Sequence, residues 1–509
     1  MNALRSPKLA PRICFQGVEP ASPFGVLLGS SVSALATVSG HGRALSAPKQ
    51  WMATVLGSRL QWWEAKRSAR ASTWNQDAAD IAIDFFGCDL VGVSAGRFWR
   101  VVDDSGEPIL NPFCFLERCH RAPFVASIFL VERAADGRGW TVIGEAHISS
   151  CRRYRDLLNR VGHVAAHLMA SALRENGYAT AKRWNVTPRI PTRSRTQAAA
   201  GLLRARFAKA IMTVRHAARN ERWAIGVLNA PIDSLTHSQI LRADSWILSP
   251  SRDAYLADPF PWPGQSNLFL CERYDYRTHL GTLRAITFDR GKVANEEAVD
   301  VNVDGAHLSY PFIYREHGRT FLLPEMAAFR ELILFELLSE TEARAVCVID
   351  RGTRIADPTL FRHDGFYWIA YTDLAIGTDD NLCLLYSSQL EGPWVPHPLN
   401  PVKIDIRSSR PGGTPFLSGG NLYRPAQDCS TTYGAALALN LVRVCTPGYY
   451  EEETVAVLRP DRRGPFPHGL HTLSLDGSRI FFDGKKLFFD LHRFSKWMKE
   501  QFLQSGRAG

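Results

Sequence analysis

The sequence predicts a multidomain protein in which an α/β N-terminal domain precedes an all-β, five-bladed β-propeller. Three observations support this. Strand-like and helical patterns alternate before residue 180, a basic segment follows, and a unit of strand, polar turn and second strand then recurs five times. We predict an N-terminal domain at 1–180, a linker with an amphipathic helix at 181–222, the propeller at 223–495 and a C-terminal tail at 496–509.

The N-terminal domain is predicted to contain buried strands and one long helix. Apolar, strand-like runs occupy 80–86, 96–102, 123–131 and 140–144. The segment 154–176 instead has helical spacing, with an apolar side made of Leu158, Val161, Val164, Leu168 and Leu173. Strands followed by a helix favour the α/β class.

The segments 80–84, 96–99 and 152–173, together with Glu117, resemble the later half of a formyltransferase-type domain. That family works with an Asn, an Asp and a His in a His-x-Ser-Leu-Leu-Pro segment, and the segment does not occur here. His120 is the nearest candidate, but a lone loop histidine is more often solvated or structural than a general base. We therefore interpret this domain as a degenerate, non-catalytic relative.

Charge and cysteine content exclude several function classes. The net charge is +10, and residues 181–222 alone hold eleven Lys/Arg against Glu221, so the flanking regions together are neutral and nucleic-acid binding is not expected. No apolar run reaches 18 residues, as a membrane span would need. The ten cysteines form no Cys-x-x-Cys pair. We expect reduced thiols, no metal or other cofactor, and a cytoplasmic location that includes the periphery of the inner membrane.

The segment 197–219 is predicted to be an amphipathic helix. Leu203, Phe207, Ile211 and Val214 share one face, which is flanked by Arg204, Arg206, Lys209, Arg215 and Arg219. A helix of this kind lies on an anionic membrane with its basic side chains at the headgroups. The alternative is a helix that packs on a neighbouring domain and leaves its basic side solvated.

The five copies of the repeat begin at Tyr255, Leu308, Ile355, Gly412 and Gly469. In each copy the second strand is predicted to end in an acid; these acids are Glu272, Glu325, Asp373, Asp428 and Asp483. The strand 223–228 precedes the first copy. We predict that it completes the last blade, because a ring closed in this way has no exposed edge.

The repeat acids are predicted to surround one mouth of the propeller. Strand one of a blade is innermost and strand two is antiparallel to it, so the start of one and the end of the other share a face. Asp258 and Asp357 start innermost strands. Carboxyls held in different protonation states are what making or cleaving a glycosidic bond requires. Two structural alternatives remain: Asp before Pro starts turns, and the acids could bond backbone amides between blades.

The repeat, the two Ala-Asp-Pro starts and the turn at Gly392-Pro393-Trp394 resemble the five-bladed propellers of arabinanases and xylosidases in glycoside hydrolase family 43. A closer likeness is to the N-terminal propeller of the glucosamine inositolphosphorylceramide transferase family. The segments 255–262, 309–325, 423–434 and 469–472 carry that likeness, which covers roughly 223–492.

The resemblance implies roles for individual residues. Asp258 takes the place of the catalytic base, and Asp357 that of the carboxylate that tunes the acid. The hydrolases have the acid, a Glu, two residues before a Pro in blade four, where this chain reads Gly412-Gly413-Thr414-Pro415. Either Glu325, our first choice, or Asp428 would replace it, or ordinary hydrolysis is lost. Candidate substrate-binding residues are Arg424, Gln427, Asp428, Tyr433, His471 and His307.

The expected function is that of a carbohydrate-active protein. It would transfer or hydrolyse a sugar on a glycan or glycolipid at the propeller mouth. The alternative is a non-catalytic propeller that binds a glycan or a lipid headgroup. The missing blade-four Glu favours binding, whereas two axial Asp residues favour catalysis. The expected partners are a carbohydrate or glycolipid and an anionic membrane surface, without nucleic acid.

Overall fold

The computed structural model describes most of the C-terminal half of the chain and parts of the N-terminal half. The described ranges are 12–16, 37–41, 79–84, 95–109, 125–134, 139–149, 154–174, 182–184, 218–236, 239–303, 305–477 and 479–490, with single helical positions between 200 and 214 and at 495. The chain divides into two compact units, 1–212 and 213–509. Within the described ranges, no helix is long and apolar enough to cross a membrane.

The first unit contains a mixed seven-stranded sheet of order β2-β1-β3-β4-β5-β6-β7. Its strands are β1 (Arg12–Gln16), β2 (Thr37–His41), β3 (Ala79–Asp84), β4 (Ala95–Val102), β5 (Val125–Arg133), β6 (Trp140–Ser149) and β7 (Lys182–Trp184). Pairing is parallel from β2 to β4 and antiparallel from β4 to β7. The four predicted strands correspond to β3 to β6, and the ends of the first three agree within two residues. The fourth, predicted at 140–144, continues to Ser149 in β6.

The predicted helix is α1 (Tyr154–Arg174). Val161, Val164 and Leu168 on its apolar side are buried, and Leu168 lies against Gly144 of β6. The segments that would connect the parallel strands lie outside the described residues, as do Glu117 and His120. The α/β class of this domain and its likeness to a formyltransferase therefore stay predictions.

The second unit consists of five sheets that follow one another along the chain. Before them come β8 (Arg219–Leu228), a short 3-10 helix (Ile232–Thr236), β9 (Ile240–Leu241) and β10 (Ser245–Ile247). Sheet one is β11 (Ala254–Pro261), β12 (Leu268–Asp275), β13 (Leu280–Asp289) and β14 (Lys292–Ala298). Sheet two is β15 (Ser309–Glu316), β16 (Arg319–Glu325), β17 (Glu331–Leu337) and β18 (Ala343–Arg351).

Sheets three to five complete the unit. Sheet three is β19 (Ile355–His363), β20 (Phe366–Asp373), β21 (Asn381–Ser387), β22 (Val395–Pro396) and β23 (Lys403–Ile404). Sheet four is β24 (Phe416–Ser418), β25 (Asn421–Asp428), β26 (Ala436–Thr446) and β27 (Tyr449–Pro460), and β9 pairs with β27. Sheet five adds β28 (Leu473–Asp476) and β29 (Arg479–Phe489) to β8 and β10.

Sheet five is built from both ends of the unit. Its order is β10-β8-β29-β28, and β8 pairs with β29 along its whole length. The prediction that the strand 223–228 completes the last sheet is thus confirmed. Successive antiparallel sheets, the last of them completed by a strand from the front, form a β-propeller architecture.

A bulge recurs in the first strands of sheets one, two and three. The register shifts between Ala257 and Phe260 in β11, and at the equivalent places in β15 and β19. At each bulge one residue adopts a positive φ: 53° at Asp258, 45° at Tyr310 and 49° at Asp357. A non-glycine residue in this conformation costs about 1–3 kcal/mol and persists only where its surroundings fix it. The bulge therefore sets the direction of both Asp side chains.

The side chain of Tyr310 joins three sheets. It is fully buried against Phe260, and its hydroxyl group bonds with Thr359 Oγ1 at 2.8 Å. The same oxygen accepts a hydrogen bond from the Gly413 amide at 2.7 Å. The first strands of sheets two and three are thus linked to the start of the fourth repeat.

The repeat acids do not all end a strand. Glu325, Asp373 and Asp428 are the last residues of β16, β20 and β25, as predicted. The prediction is wrong for Glu272 and Asp483, which lie within β12 and β29. The reason is that β12 continues along β13 to Asp275, and β29 continues along β8 to Phe489.

Candidate functional site

Asp258 is buried, and both of its carboxylate oxygens have partners. Oδ1 accepts a hydrogen bond from the Thr472 hydroxyl and lies 3.1 Å from His471 Nε2. Oδ2 accepts the Tyr310 amide at 3.3 Å. Burial raises the pKa of Asp258, but the attraction of His471 and these hydrogen bonds outweigh it and leave the pKa below its usual value. Asp258 is therefore an ionised carboxylate.

His471 lies between two carboxylates. Its Nδ1 is 2.7 Å from Asp483 Oδ2, and its ring packs 4.2 Å from that of Trp223. Burial lowers the pKa of His471, but Asp483 and Asp258 together hold it well above its usual value. Asp483 also accepts the amides of His471, Thr472 and Asp258. These contacts join the last repeat to the bulge of β11.

The same three side chains have the spacing of metal ligands. One donor atom from each of Asp258, His471 and Asp483 lies within 4.8 Å of the others. Both ring nitrogens of His471 already face a carboxylate, however, and a cation would have to break these ion pairs. The geometry fits a buried charge triad better than a metal centre.

Asp357 is also buried, and one of its carboxylate oxygens has two partners. Arg410 Nε donates to its Oδ2, and Gln427 Nε2 donates to the same oxygen at 2.7 Å. Burial raises the pKa of Asp357, and the Arg410 guanidinium opposes that rise. Gln427 was predicted to bind substrate. Its side chain is completely buried and holds Asp357 instead.

Arg410 is a residue of this site that the repeat pattern did not reveal. Its Nη1 donates to the Thr378 carbonyl at 2.8 Å and to Asp379 Oδ1 at 3.1 Å. Its guanidinium group also lies 5.0 Å from the centre of the Tyr433 ring. The one available signal was its position, directly before the Pro411-Gly-Gly start of the fourth copy.

Glu325 and Asp483 have the same structural role. Glu325 Oε2 accepts the Asp357 amide at 3.1 Å, and Asp483 Oδ2 accepts the Asp258 amide at 3.0 Å. Each acid thus holds the positive-φ residue of the next sheet in the ring. For these two residues the alternative, in which repeat acids bond amides between sheets, is confirmed. Burial, with Asp357 nearby, raises the pKa of Glu325 to about 8.

Asp373 and Asp428 have a different role. Asp373 Oδ1 accepts the Ala375 amide at 2.8 Å, and Asp428 Oδ1 accepts the Ser430 amide at 2.9 Å. Both are therefore turn-capping residues of the Asx type. No described hydrogen bond or ion pair joins Asp428 to the other predicted site residues.

Arg424 lies apart from the site. It is 1% exposed, is ion-paired with Glu452, and donates to the carbonyl groups of Ser408 and Ser409. Its guanidinium group is occupied by these three partners and is not offered to a ligand. The predicted binding role of Arg424 is therefore corrected to a structural one.

Aromatic side chains border the charged cluster, by which we mean Asp258, Glu272, Glu325, Asp357, Arg410, His471 and Asp483. Tyr274, Tyr276 and Tyr433 are half-buried and pack on the buried rings of Trp223 and Tyr255. Lys485 supports this group, since its Nζ lies 5.1 Å from the Trp223 ring centre and donates to the Tyr433 carbonyl. Ligand sites are commonly lined by aromatic rings with a few fixed polar groups.

His307 lies at the edge of this group, with 37% of its side chain exposed. Its Nδ1 accepts the Gly281 amide at 2.8 Å, and its Nε2 is 3.6 Å from Glu272 Oε1. Burial raises the pKa of Glu272 well above its usual value, and Asp258 adds to that rise. The cluster therefore contains a carboxylate with a lowered pKa, Asp258, and carboxyl groups with raised pKa values, Glu272 and Glu325, a contrast of the kind that acid and base roles need.

The raised pKa of Glu325 predicts how stability changes with pH. Between its ordinary value of 4.5 and its folded value of about 8, the folded state keeps a proton that the unfolded state releases. Each pKa unit is worth about 1.4 kcal/mol, so this residue lowers stability as pH rises through that range. Denaturant unfolding at several pH values should show that Glu325→Gln gains stability relative to the wild type as pH rises. Parallel curves would contradict this.

Comparison with known proteins gives one family model. It is described as "Glucosamine inositolphosphorylceramide transferase 1, N-terminal" and matches residues 238–465. The protein named glucosamine inositolphosphorylceramide transferase 1 from Arabidopsis thaliana is 31% identical over 261 residues, which cover 49% of this chain and 32% of that protein. Its namesake from Oryza sativa subsp. indica is 33% identical over 212 residues, 40% of this chain and 28% of that protein. The chain thus spans about a third of the length of these relatives.

Similar solved structures include several glycoside hydrolases. The xyloglucan-locus protein GH43B of Bacteroides ovatus is 15% identical, with 41% of this chain and 44% of that chain covered and a TM-score of 0.30. The family 117 glycoside hydrolase Zg3597 of Zobellia galactanivorans is 11% identical, with 52% and 90% covered and a TM-score of 0.32.

Proposed function

We propose that this is a carbohydrate-active protein that transfers or hydrolyses a sugar on a glycan or glycolipid. The observation that carries the proposal is the contrast among buried carboxyl groups in one cluster: His471 and the Thr472 hydroxyl hold the pKa of Asp258 below its usual value, whereas burial raises the pKa of Glu325 to about 8 and that of Glu272 well above its usual value. A carboxylate and a carboxylic acid together can accept and donate the two protons of glycosyl transfer. The half-buried tyrosines beside them offer a surface for a sugar ring.

The scaffold of the proposal is a closed, five-bladed propeller at 223–495. Five sheets in chain order support it, together with the closure of the last sheet by β8. The names of the matched relatives suggest which substrates to try first, namely an amino sugar and an inositolphosphoryl lipid. In this assignment Asp258 is the base, and Asp357, fixed by Arg410 and Gln427, shapes the field around the acid.

A second candidate function is binding without catalysis. It is favoured by the ion pairs that occupy Asp258 and Asp357, since neither carboxylate is open to solvent. It is also favoured by Gly413, which stands where the resemblance expects an acid. The proposal and this alternative, a propeller that binds a glycan or a lipid headgroup, differ in turnover, and both require binding of one of these ligands.

The test combines turnover with binding. Purified protein is assayed with aryl glycosides and with glucosamine donors on inositolphosphorylceramide vesicles, and sugar binding is measured by calorimetry. We expect wild-type turnover, and a fall of about 10²- to 10⁴-fold in Asp258→Asn, as for loss of a general base. Circular dichroism checks that the variant is folded, and Asp428→Asn, outside the cluster, is the control. Binding without turnover would establish the alternative; neither binding nor turnover would refute both.

The predicted helix at 197–219 is proposed to contact an anionic membrane. At the helical positions that the structure describes there, Leu203 and Phe207 are 71% and 70% exposed. The segment carries five Lys/Arg and no acid, although one of the five, Arg219, is the first residue of β8 and does not belong to a helix. Apolar side chains beside basic ones on one helix suit the headgroup region of a bilayer. Such contact would place the protein at the periphery of the inner membrane.

Vesicle binding tests this proposal. Phe207→Glu should weaken binding of the full chain to anionic vesicles, since it removes apolar burial and adds repulsion, and salt should weaken binding of the wild type. The matched control is Leu417→Glu, which changes a residue of similar exposure (68%) in sheet four. Equal loss in both variants, or no binding of the wild type at low salt, would refute a membrane role for this helix.

A further inference from the structure

Glu272 is an exception to the pattern of the repeat acids. Asp483 and Glu325 each accept the amide of the positive-φ residue in the next sheet. By the same pattern Glu272 would accept the amide of Tyr310, the positive-φ residue of sheet two. That amide instead donates to Asp258 Oδ2. Glu272 thus occupies the same place in its repeat as Glu325 without the same structural task.

The Glu272 carboxyl group is buried with an unpaired oxygen. The residue is 6% exposed, and its Oε1 has no hydrogen-bond partner among the described residues. Space for this oxygen exists because residue 281 is glycine; a Cβ atom there would lie 2.1 Å from Oε1. Leaving a buried carboxyl oxygen unpaired costs free energy, so a carboxyl kept in this state calls for an explanation beyond packing.

His307 is held in one tautomer beside it. Because the His307 Nδ1 accepts the Gly281 amide, the proton of the neutral ring is on Nε2, the atom that lies 3.6 Å from Glu272 Oε1. This distance is too long for a hydrogen bond, but a closure of about 0.6 Å would make one. Burial lowers the pKa of His307, which keeps the ring neutral. His307 is thus a donor aimed at Oε1, and it leaves Oε2 to carry the acid proton.

The groups around Glu272 favour its neutral form. Burial acts in the same direction as the carboxylates that face it, and one cation opposes them. The titratable groups concerned are Asp258, Glu325 and Asp483, which raise its pKa, His471, which lowers it, and the neighbouring His307 and Tyr255. Burial and these neighbouring groups therefore favour the protonated form of Glu272 beside the ionised Asp258.

We infer that Glu272 is the proton-donating acid of the proposed glycosyl-transfer site and that His307 is its positioning residue. The inference rests on the proposed function. As the glycosidic C–O bond breaks, its electron pair stays on the leaving oxygen, which takes the proton from Glu272 Oε2. The attacking hydroxyl, from water or a sugar acceptor, forms the new C–O bond and gives its proton to Asp258. The Glu272 carboxylate that results accepts the Nε2–H of His307.

The other candidate acids are less suited to this task. Glu325 is committed to the Asp357 amide, and Asp428 to the Ser430 amide. No acid fits at residue 413, because a Cβ atom there would lie 1.7 Å from the Leu473 carbonyl oxygen. Among the repeat acids of the cluster, Glu272 is the one for which the described residues show no hydrogen bond to a backbone amide of the next sheet.

The experiment compares two kinds of leaving group. The 4-nitrophenolate group of an aryl glycoside leaves without protonation, whereas the alcohol of an alkyl glycoside needs a proton from the acid to leave. Glu272→Gln should lower kcat on the alkyl glycoside by about 10²- to 10⁴-fold and change the 4-nitrophenyl rate little. The matched variant Glu325→Gln should change both rates by the same factor. His307→Phe should move the basic limb of the pH–rate profile to higher pH, because it removes a donor to the Glu272 carboxylate. His307→Gln, which keeps an N–H donor, should return the limb to its wild-type position.

Infrared difference spectra give a readout that does not depend on activity. At pH 7 the wild type should show protonated carboxyl signals, one of which Glu272→Gln removes while the signal of Glu325 remains. No lost signal in Glu272→Gln, or equal effects of Glu272→Gln on both glycosides, would overturn the inference while the proposed function stands. If the wild type neither binds nor turns over any sugar tested, the proposed function is refuted, and the donor role assigned to Glu272 is refuted with it.

Discussion

Replacement of Gly413 by alanine is expected to destabilise the propeller by about 4 kcal/mol or more, as severe steric substitutions do. Gly413 has a φ of 119°, and an added Cβ would lie 1.7 Å from the Leu473 carbonyl oxygen. That oxygen accepts the Thr414 amide at 2.8 Å, so neither strand can retreat without losing hydrogen bonds between sheets four and five. Denaturant unfolding measures the loss.

The matched control for Gly413→Ala is Gly420→Ala. Gly420 also has a positive φ, 77°, but nothing lies within 4 Å of the position a Cβ would take. Its replacement carries only the backbone cost of about 1–2 kcal/mol. Equal losses in the two variants would contradict the steric explanation. Gly413→Glu should be destabilised like Gly413→Ala, so it would not restore the acid that the resemblance expects.

Breaking the buried pair of Arg424 and Glu452 should have the next largest effect. Both side chains are 1–2% exposed, and Arg424→Met would leave the Glu452 carboxylate buried with Lys403 as its remaining cation. Removal of one partner from a buried ion pair costs about 3–5 kcal/mol. Chemical unfolding should show a loss in this range. Arg443→Met, which breaks an exposed pair with Glu453 in the same sheet, should cost under about 1 kcal/mol.

The same pair predicts an acid sensitivity. Burial raises the pKa of Glu452, but Arg424 and Lys403 outweigh it and lower the pKa to about 2. A lowered folded pKa contributes stability that is present above the ordinary value of 4.5 and is lost as pH falls toward 2. Arg424→Met should therefore lose less stability than the wild type on acidification. An unchanged difference between pH 7 and pH 3 would contradict this.

The repeat pattern predicted where the sheets begin, but not what each acid does. Asp428 and Asp483 occupy the same place in their repeats. Asp428 ends its strand, so the turn amide two residues later is free and the short side chain caps it. Asp483 lies within a strand that continues along β8, and its carboxylate reaches the neighbouring sheet instead. The difference depends on where pairing stops, which involves strands far apart in sequence.

The two arginines show the same limit. Arg424 has the sequence context of a ligand-binding residue, yet its partner Glu452 is two strands away in the sheet order. Arg410 stands next to a glycine-rich start and pairs with Asp357 of the preceding sheet. Side-chain alternation along a strand predicts which face of the sheet a residue lies on. Which charged side chain it meets there depends on how the strands and sheets assemble.

The composition of sheet five determines which fragment of this protein retains the candidate site. The segment that matches the family model, 238–465, contains β10 but omits β8, β28 and β29. It therefore also omits Asp483 and His471, the partners that fix Asp258. A fragment with those ends would have an open ring with unpaired strand edges and a carboxylate without its cation. A unit that keeps Asp258 together with these partners and their strand pairing extends from Arg219 to Phe489, so β8 and β29, the first and last strands of the unit along the chain, are as much a part of the candidate site as its acids.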